Sequence, residues 1–118
     1  MGFVFDNDTP IYLQIISHIK AMIVSGEYKK GQKLPSVREL SLFFEVNPNT
    51  IQKSLMELEN MGLIWTDRTN GKFVTSDNDV ISDMKRMAIE ELVDDFFEKM
   101  EKLGIDRDQM LNILKNKE

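Results

Sequence analysis

Apolar residues recur at steps of three and four along the first part of the chain. Ile11, Ile15, Ile16, Ile19, Met22 and Ile23 fall on one face of a helix. Thr9 is an N-cap candidate, with Pro10 in the first helical position, where a missing N–H costs nothing. Gly26 is a natural stop. The stretch "EYKKGQKLP" carries Gly31 and Pro35 and reads as a connection. The helical period resumes with Val37, Leu40, Phe43 and Phe44, all expected to point inward. Ser36 and Glu39 have the spacing of a capping box. After Glu45 and Val46, Asn47 is a cap and Pro48 opens a third helix to about Asn60. Its buried stripe is Ile51, Leu55, Leu58 and Met61, and Gly62 ends it.

The pattern then turns β-prone. Residues 63–66 and 72–75 flank "DRTNG", which is turn chemistry, so a two-stranded hairpin is expected. Trp65 is expected to pack this hairpin against the helices. A long helix follows over residues 79–103. Ala88, Leu92, Phe96 and Met100 lie at four-residue steps on it, with Ile89, Val93 and Phe97 in the adjacent row. Gly104 breaks it, and "DRDQMLNILKNK" is a short last helix. The fold class predicted is mostly α with a small β-hairpin. A winged helix-turn-helix domain occupies residues 1–75, and a two-helix C-terminal dimerisation segment occupies residues 76–118.

Charge sharpens that division. The net charge is −5. Residues 1–75 hold 8 basic and 8 acidic side chains, whereas residues 76–118 hold 7 basic and 12 acidic ones. The acidic excess therefore lies in the last third, and the two parts read as having different jobs. There is no cysteine, which excludes disulfides and thiolate metal sites. No apolar run approaches the roughly 18 residues of a membrane span, and the start lacks the pattern of a signal peptide. A cytoplasmic protein is expected. The eight methionines read as core filler. His18 is the sole histidine, and its mid-helix place among apolar residues suits a structural role. No phosphate loop, metal set or acid–base pair rises above surface chemistry, so neither an enzyme nor a cofactor is expected.

A third helix in this arrangement can enter the major groove with the side chains near its N-terminus. The outward positions there are Asn49, Thr50, Gln52 and Lys53. Asn and Gln can pair with adenine and Lys with guanine, and a helix N-terminus favours a phosphate. Ser36 and Arg38 open the preceding helix on the same side. Arg68, Gly71 and Lys72 mark the hairpin tip. Lys29, Lys30 and Lys33 lie just upstream. The alternative is a winged helix used for protein–protein contact without operator binding, in which the third helix is only a packing surface and no salt-dependent DNA affinity is expected. The apolar rows of the tail call for a second copy of the chain, because an unpaired face of that size would be a large exposed patch. Two helices per subunit can hardly enclose a small-molecule pocket alone, so an effector has no support in the sequence.

Residues 10–75 resemble the DNA-binding domain of GntR-family bacterial transcription regulators. The landmarks are Pro10-Ile11-Tyr12, Val24-Ser25-Gly26-Glu27-Tyr28, Gly31-x-x-Leu34-Pro35-Ser36-x-Arg38-Glu39-Leu40, Leu58-x-x-x-Gly62-Leu63-Ile64 and Gly71-x-Phe73-Val74. The short two-helix tail and "VNPNTIQKSLMELE" are similar to the YtrA subfamily. The resemblance implies DNA contacts from Arg38, Thr50 and Gly71, dimerisation through the C-terminal part, and repression from a two-fold symmetric operator. The chain departs from the family pattern V-S-R-x-T-V-R-x-A, whose two arginines are Pro48 and Gln52 here. Base readout then falls to Asn49, Gln52 and Lys53.

Overall fold

The computed structural model describes residues 3–117 and has five helices and one hairpin among them. In chain order these are α1 (Ile11–Val24), α2 (Val37–Phe44), α3 (Pro48–Asn60), β1 (Ile64–Asp67), β2 (Gly71–Val74), α4 (Asn78–Lys102) and α5 (Arg107–Asn116). Two compact units divide the chain, Met1–Asp83 and Met84–Glu118. The first turns of α4 thus belong to the head unit.

The head is built on α3. Ile51, Leu55 and Leu58 of α3 are buried, as are Ile15, Ile16, Ile19 and Ile23 of α1 and Leu40 and Phe44 of α2, and both α1 and α2 pack on α3. Each such side chain taken from water contributes about 1.5–3 kcal/mol. Ser54 is buried among them, and its hydroxyl donates to the carbonyls of Thr50 (3.0 Å) and Tyr12 (3.2 Å). A polar group in the core is thereby satisfied and ties α3 to α1.

Some expectations shift at the edges of this core. Ile11 is exposed and Met22 half-buried, so the α1 stripe is narrower than its periodicity suggests. Phe43 is not a core residue: it is 48% exposed. Leu40 and Phe44 are one turn apart and claim the inward face of the eight-residue α2, which leaves Phe43 on its flank, edge-on to Phe44 at 4.9 Å. The methionines are not core filler as a group. Met110 is buried, but Met56 and Met87 are exposed.

The start of α1 also differs. Pro10 is itself the cap residue, and no side chain caps the helix. The Asp6 carboxylate accepts the N–H groups of Asp8 (2.9 Å) and Thr9 (3.2 Å), which turns the chain before the proline. Gln14 then reaches back, donating to the Thr9 carbonyl at 2.7 Å and accepting the Asp6 N–H at 2.9 Å. A side chain inside the helix does the fastening expected of Thr9.

Between α2 and α3 the chain reverses at Glu45, which holds a left-handed conformation (φ 58°, ψ 48°). The Ser41 hydroxyl closes the turn by donating to the Val46 carbonyl at 2.6 Å. The hairpin pairs Ile64 with Val74, Trp65 with Phe73, Thr66 with Lys72 and Asp67 with Gly71. Ile64 and Val74 face inward and are buried. Trp65 faces out, 48% exposed, and stacks on Phe73 at 5.0 Å. It packs across the wing rather than against the helices, because strand alternation gives the inward place to its neighbour.

The stretch read as a connection forms no element of its own, but it runs beside β2 and is bonded to it. The Gly31 N–H donates to the Val74 carbonyl (3.1 Å), the Val74 N–H to Gln32 (2.9 Å) and the Leu34 N–H to Lys72 (2.8 Å), with Lys33 bridged to Phe73. Only a few residues separate Gly31 from Pro35, too few for an alternating pattern to show in sequence. Lys30 anchors the start of α4 by donating to the Asn78 side-chain oxygen at 2.6 Å.

In the second unit no α4 side chain is buried. Ile89, Leu92 and Val93 are exposed, and Ala88, Phe96, Phe97 and Met100 are half-buried. Asp106 and Gln109 form a capping box at the start of α5. The Arg107 guanidinium lies 4.9 Å from the centre of the Phe97 ring.

Candidate nucleic-acid interface

The first turn of α3 is fixed by its own sequence. Pro48 supplies the helical φ, and the Asn47 side-chain oxygen accepts the Asn49 N–H at 2.8 Å. The buried stripe on the opposite side forces Asn49, Gln52 and Lys53 outward, and all three are exposed, with Thr50 half-buried. The Lys53 ammonium sits 3.9 Å above the Tyr12 ring of α1. That contact holds the cation at a defined place on the surface while leaving it accessible.

The α2 start presents Ser36 and Arg38. The Ser36 hydroxyl oxygen accepts the Glu39 N–H at 3.1 Å, and the Glu39 carboxylate accepts the Ser36 N–H at 2.9 Å. The Ser36 backbone bond, followed by its side-chain bond, holds the Glu39 carboxyl below the usual carboxylate range, and Lys33 adds to the effect. Ser36 is therefore chiefly a cap, and Arg38 is the exposed side chain that the cap positions.

At the wing tip the Asp67 carboxylate accepts the N–H groups of Thr69 (2.9 Å) and Asn70 (3.3 Å) and the Asn70 side-chain amide (3.1 Å). The Thr69 bond is the chief cause of a lowered Asp67 pKa. Gly71 has φ +110°, a conformation that L side chains rarely adopt. A groove of about 420 Å³ runs between the wing and the start of α2, and Ser36, Arg68, Gly71 and Lys72 all line it. Lys33 lines it too. Lys72 is half-buried, and its ammonium is held by Thr66 Oγ1 at 2.7 Å and Glu59 Oε1 at 3.3 Å.

The structure thus places Ser36, Arg68, Gly71 and Lys72 around one groove, and Asn49, Thr50, Gln52 and Lys53 on the first two turns of α3. Of the upstream lysines, Lys30 turns to α4 and Lys33 to the wing. The Tyr12 seat under Lys53 and the Glu59 partner of Lys72 carry no signal in the sequence, since each pairs residues from different elements. His18 sits in an aromatic cluster, 4.9 Å from Phe3 and 5.7 Å from Phe44, in keeping with a structural role. Among the described residues no group of three or more His, Asp or Glu side chains could hold a metal ion, and no helix is long and apolar enough to cross a membrane.

The family described as "Bacterial regulatory proteins, gntR family" matches residues 11–74. An HTH-type transcriptional regulator of Bacillus subtilis, YhcF, is 37% identical over 94% of this chain and 92% of its own length. The B. subtilis transcriptional repressor YtrA is 46% identical over 58% of this chain, which spans 53% of that protein. Among solved structures, a GntR family transcriptional regulator from Listeria monocytogenes superposes with a TM-score of 0.89 at 41% identity, covering 97% of this chain and 100% of that one. An AraR DNA-binding domain in complex with an operator superposes with a TM-score of 0.58 at 30% identity, covering 61% of this chain and 93% of that one. With its capped third helix, its two-stranded wing and a family match over most of the head, the chain belongs to the GntR family as a winged-helix, DNA-binding transcriptional regulator rather than an enzyme.

Proposed function

We propose that the chain is a cytoplasmic repressor that binds a two-fold symmetric operator as a homodimer. The observation that carries the reading is the exposed first face of α3, flanked by the α2 start and the wing. This face sets Asn49, Gln52 and Lys53 where base edges would lie, and Thr50, Arg38, Arg68 and Gly71 where the backbone would pass. The AraR domain bound to an operator supports DNA as the partner, and the repressor YtrA supports repression as the output. The head is the reading domain and the tail the dimerisation segment, with Ala88, Ile89, Leu92, Val93, Phe96, Phe97 and Met100 at the subunit contact. Support for that contact comes from α4 itself, which buries none of its side chains within one chain.

Arg38→Ala and Lys53→Ala test the surface. Both side chains are exposed or seated on the surface, so both variants fold. A lost base contact costs about 1–3 kcal/mol and shows as weakened sequence preference, whereas a lost phosphate contact weakens all sequences alike and lowers the salt slope by about one. Lys53→Ala is expected to do the former and Arg38→Ala the latter. Fluorescence anisotropy at several salt concentrations reads both. Unchanged binding in both folded variants would mean that DNA docks elsewhere or that the wing serves a protein partner.

A further inference from the structure

We propose that Lys33, not Lys72, is the wing-side cation that meets the DNA backbone, and that Lys72 is a positioning residue that latches the wing to α3. The proposal rests on the DNA-binding reading above.

Lys72 is engaged by two groups. Its ammonium, Thr66 Oγ1 and Glu59 Oε1 form a closed triangle, with the Thr66 hydroxyl donating to Glu59 at 2.9 Å and Lys72 reaching Thr66 at 2.7 Å and Glu59 at 3.3 Å. Thr66 and Lys72 are directly paired across the hairpin, while Glu59 comes from the end of α3. The triangle therefore joins the wing to the end of α3. Turning Lys72 toward a phosphate would leave the Glu59 carboxylate unpaired beside a polyanion. Like charges brought together there would offset the new contact.

Lys33 is placed differently. It is exposed, and among the described residues it makes no ion pair. Its backbone is held on the β2 edge by the bridge to Phe73 and the neighbouring Leu34 bond to Lys72. Its stem lies over the wing glycine: a Cβ built on Gly71 would meet Lys33 Cε at 3.2 Å and Nζ at 4.0 Å. The acidic group facing it is Glu39, whose carboxylate is already engaged by the Ser36 N–H. Lys33 lines the groove between the α2 start and the wing tip, the two places where the backbone is expected to pass. A backbone tracking from Arg38 to Arg68 would cross it.

The test is a salt titration with a labelled duplex selected by the wild-type chain from a random-sequence pool. Four proteins are compared: wild type, Lys33→Met, Lys33→Arg and Lys72→Met. Methionine keeps an unbranched stem and removes only the charge. Lys33→Met is expected to weaken binding several-fold and lower the salt slope by about one, with Lys33→Arg restoring both. Lys72→Met is expected to keep the wild-type slope while lowering the thermal unfolding temperature. If Lys72→Met lowers the slope and Lys33→Met does not, the roles are reversed and the proposal fails. A wild-type chain that selects no duplex, or binds with no dependence on salt, overturns the DNA-binding reading and this assignment with it.

Discussion

At the scale of single residues, the wing glycine shows how backbone conformation and contact combine. Gly71 sits at φ +110° with the Lys33 stem close to the space a side chain would fill. A β-branched residue there is strained by its own backbone and also pushes the lysine aside. Gly71→Val is expected to reduce DNA affinity more than Asp67→Ala, which loosens the tip without blocking it. Titration of both variants against the same duplex checks this, and intact binding by Gly71→Val would make the hairpin a cover over the core and not a contact element. Glycine at this place was legible from sequence, because Asn70-Gly71 is turn chemistry. The lysine above it was not. Its neighbour in space lies far along the chain, and the stretch bonded to β2 is too short to show a period.

At the scale of elements, α3 is written almost entirely in its own residues. Asn47 caps it, Pro48 presets its first turn, and the Ile51, Leu55 and Leu58 stripe turns its polar face outward. Asn47→Ala is expected to lower stability by about 1 kcal/mol, read from denaturant unfolding. It should also weaken DNA binding, since the Asn49 N–H it satisfies belongs to the turn proposed to enter the major groove. A stability change below a few tenths would show that Pro48 alone holds the start. Such local chemistry is why all five helices and the hairpin could be read in advance with bounds close to those observed. The misreadings arise where one element answers to another. Trp65 and Phe43 are large and apolar, which says that they prefer contact but not with what. The start of α1 looked like a threonine cap because Thr9 and Pro10 are adjacent. It is instead fastened by Gln14, a residue with no cap signature at that position, reaching back to a turn around Asp6.

At the scale of the whole molecule, the two units differ in what they bury. Among the described residues every buried apolar side chain except Met110 belongs to the head. The head thus holds nearly all of the buried apolar side chains, while α4 fully buries no residue of its apolar rows within one chain. The head does not end at the wing. Ser76 approaches Gly31, Asn78 accepts from Lys30, and Val80 lies beside Gly62. A cut after Thr75 would strip those contacts, so the informative truncation falls after Asp83, where the first unit ends. That head is expected to stay folded and to be monomeric. Two linked heads gain about 10²–10⁴ in affinity over one when both can engage. The truncated head should therefore bind a palindromic duplex weaker by a factor in that range and lose its preference for the palindrome over a half-site. Sedimentation of both chains, with titrations against both duplexes, separates the outcomes. A truncated head that remains dimeric would place the subunit contact in the winged domain. A monomeric head that holds the palindrome as tightly as the full chain would mean that pairing of the tails adds nothing to operator recognition.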